Sequence, residues 1–204
     1  MGATRIEPKS TLVLSQAVRR WWALVLAGGV LGMVGTVWQT MERLSYESGT
    51  GGPSVCDINA VISCGSVYGN WQSSALGVPN SLIGLPVFGI MASAGLAALL
   101  GSRLSRHYIA TILGLSVFMT LFVTWYMEQT AFAIGALCLF CTASMVNIMM
   151  IGIGLTRIAD AAGALGDGPL GRRFHVVVDS GMDLAVWIGL AVLVATMLFF
   201  GLRM

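Results

Sequence analysis

The chain has 204 residues, of which 56% are hydrophobic and 10% charged, and its mean hydropathy is +0.84. Such values exclude an ordinary soluble domain and point to an all-α integral membrane protein. A formal net charge of +2 with no basic run gives no footing for a nucleic-acid partner.

Met1 to Val18 is a polar tail carrying Arg5 and Lys9, and Arg19 and Arg20 stand directly before an apolar run opened by Trp21 and Trp22. Cations and tryptophans at such a boundary anchor a helix at the interface. The run reaches Leu44, long enough to cross a hydrocarbon core of about 30 Å. It is too long for a cleaved signal peptide and no Ala-x-Ala site follows it, so it is the first predicted span.

Ser45 to Pro79 is a Gly/Ser/Pro-rich loop that holds Cys56 and Cys64. Ser81 to Gly101 is the second predicted span, expected to break early at Pro86, where a backbone donor is lost. A short loop with Arg103 and Arg106 leads to the third, Tyr108 to Glu128, which ends on Trp125 and Tyr126. Gln129 to Gly135 is a tight connection, Ala136 to Thr156 the fourth span, Arg157 to about Asp183 a Gly/Asp/Arg loop, and Leu184 to Leu202 the fifth span. The organisation is thus a tail over 1–18, a four-span unit over 19–157 with its loop at 45–80, a loop over 158–183 and a last helix over 184–204. The 26 glycines suit helices that approach closely.

Nine of the Lys and Arg residues fall on one side of this arrangement: Arg5, Lys9, Arg19, Arg20, Arg103, Arg106, Arg157, Arg172 and Arg173. Only Arg43 and Arg203 fall on the other. The bias predicts a cytoplasmic amino terminus and places all four cysteines outside. His107 and His175 lie on the cytoplasmic side, away from them, and the stretch Val176 to Met182 is expected at the interface.

Cys138-Leu139-Phe140-Cys141 puts two thiols on one face at the mouth of the fourth span. Unpaired N–H groups and the positive end of the helix dipole favour thiolate there, so a reactive dithiol is predicted. Cys56 and Cys64 complete two pairs, one on a flexible segment able to travel to one on a rigid element. Three other readings stand beside this one: small apolar core residues, a four-thiolate zinc site, or a purely structural Cys56–Cys64 disulfide in a scaffold or transporter. Asn80, Ser81, Thr142 and Ser144 offer donors near Cys141, or they cap and link helices. The twelve methionines, scattered through the spans, read as packing.

Cys56-Asp57, Ile62-Ser63-Cys64, Val67, Gly77-Val78-Pro79-Asn80-Ser81, Gly84 and Ala136-Leu137-Cys138-x-x-Cys141 together resemble the vitamin K epoxide reductase family in its bacterial form, over roughly Trp21 to Thr156. The resemblance implies a four-helix bundle around a quinone, menaquinone or ubiquinone, in a bacterial inner membrane. It implies that Cys56 exchanges with an extracytoplasmic thioredoxin-fold, DsbA-like protein, that Cys64 attacks Cys138, and that Cys141 delivers electrons to the ring. Asn80 matches an asparagine that hydrogen-bonds a quinone carbonyl, with Ser81 beside it. Met145, a further candidate at the ring with Asn80, Ser81 and Cys141, stands where the animal enzymes carry a tyrosine, and Asn70 where many relatives carry a serine, which makes epoxide reduction the less expected chemistry. The order of the pairs, loop first, is the reverse of that in the DsbB quinone reductases. Some relatives extend from a fifth span into a fused thioredoxin-like domain; ending at Met204, this chain is expected to use a separate partner.

Overall fold

The computed structural model describes residues 16–49 and 52–203. The expected tail over 1–18 therefore lies outside the described residues except for its last three, which already belong to a helix. Among the described residues seven α-helices follow in order: α1 Gln16–Ser48, α2 Cys64–Tyr68, α3 Asn80–Leu99, α4 Arg106–Gln129, α5 Leu139–Ala161, α6 Pro169–Asp179 and α7 Met182–Gly201. Five are long and apolar enough to cross a bilayer: α1, α3, α4 with its extension to Ile134, α5 and α7. This is an all-α membrane protein; among the described residues the one β feature is an isolated bridge between Ile62 and Leu137.

The side chains that α1 buries recur at helical spacing: Trp22, Val25, Gly28, Gly29, Gly32, Thr36, Gln39 and Arg43. Such a stripe turns one face of the helix inward, here against both α3 and α5. Its glycines set the distances. A Cβ on Gly29 would meet the Ala92 backbone nitrogen at 2.6 Å, and one on Gly95 the Leu26 nitrogen at 2.9 Å, so α1 and α3 touch backbone to backbone. The stripe turns polar at the end nearest the cysteines, where the site lies.

Two element boundaries differ from expectation. Pro86 does not break its span, for α3 runs unbroken from Asn80 to Leu99 with the proline inside. Removing one N–H and crowding one carbonyl can be tolerated where packed neighbours hold the rest of the helix. The third span does not stop at Glu128; a wide turn carries it to Ile134 and is closed by Gly135, whose φ of 71° is left-handed and whose N–H bonds the Thr130 carbonyl. The chain then leaves extended into Ala136 and Leu137.

The loop expected over 158–183 contains α6. Pro169 opens it at the first helical position, and Leu170, Phe174, Val177 and Val178 set an apolar side against Arg172, Arg173 and His175. α7 packs outside α4 and α5. It is tied to α5 by Arg157, which donates from Nε and Nη2 to the two oxygens of Asp183 at 2.6 Å each.

Candidate active site

Asp57 shapes the loop around the first cysteine pair. One carboxylate oxygen accepts from the Gly65 N–H and the Ser63 hydroxyl, each at 2.9 Å, and the other from the Ser54 N–H at 3.0 Å. Burial pushes the Asp57 carboxyl up, but the hydrogen bonds from Gly65, Ser63, Ser54 and Cys64 outweigh it and hold the group below its ordinary value. A Cβ at position 65 would lie 2.9 Å from that carboxylate and would push it aside. Ser63 caps α2 by accepting from the Ser66 N–H, so Cys64 enters the first position of a short helix. Cys64 is joined to Cys56 in a disulfide, with 5.7 Å between their Cα atoms.

This loop is stitched to the second pair by backbone. The Leu137 N–H bonds the Val61 carbonyl at 2.7 Å and the Ser63 N–H bonds the Leu137 carbonyl at 3.1 Å. Cys138 follows Leu137 directly and Cys64 stands two residues beyond Ile62, and the Sγ atoms of Cys64 and Cys138 are 3.3 Å apart. A disulfide sulfur carries no hydrogen, so the contact sets the Cys138 thiol directly against the bond it could attack. The expected travel of Cys64 is thus unnecessary, since the segment around it is pinned and already within reach.

Cys138 and Cys141 are free thiols. Cys138 is the N-cap of α5 rather than a residue of its first turn, and its sulfur accepts from the Cys141 N–H at 3.4 Å. The Cys141 thiol, and then the Cys141 and Phe140 N–H groups, pull the Cys138 thiol below its ordinary pKa against the opposing effect of burial. Cys141 faces the other way. Gln39 donates from Nε2 to its sulfur at 3.4 Å, and the Tyr126 hydroxyl also reaches it.

Beside that sulfur lies a cavity of about 60 Å³, between α3 and α4 with α1 and α5 as its floor. Its apolar wall includes Ile83, Val87, Phe88, Met119, Phe122 and Ile148. The volume is several times the roughly 10–15 Å³ that one water needs. Asn80 and Ser81 both line it. The Asn80 amide donates to the Gln72 carbonyl at 2.8 Å while its Oδ1 is buried without a partner, and Ser81 accepts from the Thr40 hydroxyl at 2.9 Å. Met145 is packed in the core at 3% exposure and does not line the cavity, and the Thr142 hydroxyl is engaged by the Cys138 carbonyl at 3.1 Å. Ser144 is on the wall.

Sequence reasoning missed Gln39 and Tyr126, which come to Cys141 from two other helices. The signal for Gln39 was present: an amide on the buried stripe of an apolar span is expensive unless it finds a partner. Three sulfurs, those of Cys56, Cys64 and Cys138, lie within 4.8 Å of one another. Two of them are bonded together, and zinc takes thiolates, so with that disulfide closed the group offers one free thiol, that of Cys138.

All four sulfurs are buried; Cys56 is 2% exposed. Over Cys56 runs the segment Pro53 to Val55, held from α1 by Glu42, which accepts from the Ser54 hydroxyl at 2.8 Å and the Val55 N–H at 3.3 Å. The family model described as the vitamin K epoxide reductase family matches residues 22–156. No curated protein and no solved structure gives a significant match.

Proposed function

Because the chain belongs to the vitamin K epoxide reductase family, and so to the membrane thiol oxidoreductases, we propose that it reoxidises an extracytoplasmic thioredoxin-fold, DsbA-like protein and passes the electrons to a membrane quinone. The observation that carries this reading is the 3.3 Å contact between Cys64 and Cys138, which joins the two pairs into one path. In the first exchange a partner thiolate attacks Cys56, Cys64 leaves as thiolate, and the partner's second thiol releases the partner oxidised. Cys64 then attacks Cys138 of a Cys138–Cys141 disulfide, and Cys141 leaves as thiolate. Cys56 closes back onto Cys64 and frees Cys138, which gives the arrangement of one disulfide and one dithiol described above.

The pocket beside Cys141 fits a quinone ring on two observations. Its walls are mainly apolar, and the unpaired Oδ1 of Asn80 can accept from a hydroxyl, while the second hydrogen on its Nδ2 can serve a carbonyl. A bound quinone supplies the acceptor for two electrons and two protons, which leaves Cys138 and Cys141 as a disulfide. Cys141 holds the sulfur at the ring, Cys138 closes the bond, and Ser81 and the aromatic walls orient the ring and keep water out. Met145 acts behind the wall as packing.

The surplus of cations on the side away from the cysteines supports a cytoplasmic amino terminus in a cell membrane, with the relay facing outward. Reconstituted protein mixed with a reduced thioredoxin-fold protein and a quinone should bleach the quinone absorbance, and Cys141→Ala should abolish that change. In a Cys56→Ser, Cys141→Ser double variant, diamide should link Cys64 to Cys138. Absence of that link in folded protein would sink the relay, and one bound zinc per chain with reduced cysteines would favour a metal-stabilised scaffold instead.

A further inference from the structure

The relay assigns no residue the task of holding Cys141 in its reactive form, although Cys141 lies 4% exposed in the first turn of α5. We propose that Gln39 does this: its side-chain amide donates a hydrogen bond to the Cys141 sulfur, stabilises the thiolate facing the cavity, and thereby raises the oxidising power of the Cys138–Cys141 pair. The inference deepens the proposed relay and rests on it for the meaning of Cys141, but not for the contact itself.

Four observations carry it. Gln39 is 9% exposed on the inward stripe of α1, in a segment apolar enough to span a membrane, where an amide costs free energy unless it is bonded. The partner it has found is a thiol sulfur 102 residues away on α5, at 3.4 Å. Gln39 also lines the same cavity as Cys141, so the donor and the sulfur meet at the wall where a reacting molecule must sit. Finally, among the described residues no cation is paired with the Cys141 sulfur: Arg43, one turn further along the stripe, is engaged by Glu47 at 2.7 Å and by Ser73 and Ser74 at 2.8 to 3.1 Å.

An N–H bond to a thiolate is stronger than one to a thiol, so it favours the deprotonated, reduced state over the disulfide. A stabilised reduced form makes a dithiol pair a stronger oxidant of the pair that feeds it. Gln39 would therefore help to pull electrons from Cys64 toward Cys141.

The test uses full-length protein in detergent with the Cys56–Cys64 disulfide intact. In a Cys138→Ala background, alkylation of Cys141 by N-ethylmaleimide is followed against pH. Gln39→Leu should slow the reaction at neutral pH by about tenfold and move the profile to higher pH, as expected for loss of a hydrogen bond to a charged group. Gln39→Glu, close to isosteric but with no donor when ionised, should do so at least as strongly, and it keeps the test open if the leucine variant fails to fold. A mere change of packing scales the rate equally at every pH and leaves the midpoint in place.

With Cys138 present, equilibration against dithiothreitol should shift Gln39→Leu about tenfold toward the disulfide, or about 30 mV more negative. Midpoints and equilibria unchanged within twofold in both variants would overturn the assignment. If instead the shifts occur but the unaltered protein reduces no quinone, the relay reading fails while the assignment of Gln39 to the Cys141 thiolate stands.

Discussion

Asp57 shows how one side chain can hold a redox loop shut. It is half-buried next to Cys56, and its donors come from both sides of the disulfide, Ser54 before it and Ser63, Cys64 and Gly65 at its second cysteine. Adjacent negative charge does not assist thiolate formation, so its contribution is to conformation rather than to reactivity. A carboxyl held below its ordinary value stabilises the folded loop above the unfolded-state pKa, and that stabilisation fades as pH falls through the lower folded value. Reduction of the Cys56–Cys64 disulfide by a water-soluble phosphine should therefore stay slow from neutral pH down to about pH 4 and speed up only below it. Asp57→Asn should be reduced faster at neutral pH, lose that acid dependence and converge with the original protein at the lowest pH. Equal rates for the two proteins at neutral pH would show that Asp57 does not secure the loop.

The cysteines, Asn80 and Ser81 were legible as chemistry in the sequence because reactive residue types stand out against apolar spans. What the sequence could not convey was partnership. Gln39 and Tyr126 precede Cys141 by long stretches of chain, and only the packing of α1 and α4 on α5 brings them to its sulfur. Met145, matched to a tyrosine position of the animal enzymes, is packed in the core and is not on the cavity wall. Cys64 was read as mobile because glycine, serine and proline surround it, yet a cap, a carboxylate and two bridge hydrogen bonds fix it in place.

At the scale of elements, the length of the apolar runs located all five spans, and departures occurred at their ends, where tertiary contacts decide. Pro86 stays inside α3 and α4 runs on to Gly135, because a neighbouring helix or a left-handed glycine determines where a helix stops. The same tertiary control gives the glycines of α1 unequal roles that composition cannot separate. A Cβ at Gly29 collides with the Ala92 backbone, whereas one at Gly35 meets nothing within 4 Å. Gly29→Ala should cost about 1–3 kcal/mol through overpacking, since backbone on the opposing helix cannot yield as a side chain can. Gly35→Ala should be neutral or stabilise by up to about 1 kcal/mol, the helix-propensity difference. Thermal unfolding of both variants in one detergent checks the pair, and equal effects would mean that the α1–α3 contact is looser than backbone to backbone.

For the molecule as a whole, the redox path and the last helix are separable. The cavity and all four cysteines lie on α1, α3, α4, α5 and the loop above them, within the stretch 22–156 that matches the family. α7 adds none of these residues, and only 11% of its apolar window is buried in the chain, against 50% for α5, so most of its surface is left to lipid. Besides its packing on α4, it is held by Gly201 against the Ala131 backbone, by Trp187 on Gly152, where no Cβ would fit, and by the paired hydrogen bonds from Arg157 to Asp183. The Asp183 side chain is 3% exposed, so removing its partner strands a buried charge. Arg157→Ala should therefore destabilise the docking of α7 by about 3–5 kcal/mol, the range found when one member of a buried pair is lost. The expected consequence is confined: faster proteolysis between Ala161 and Met182, with quinone reduction and the diamide-driven Cys64–Cys138 link kept near their original levels. Loss of the redox steps along with the docking would mean that α7 braces α5 and through it the position of Cys138 and Cys141, which makes the fifth span part of the machinery rather than an addition to it.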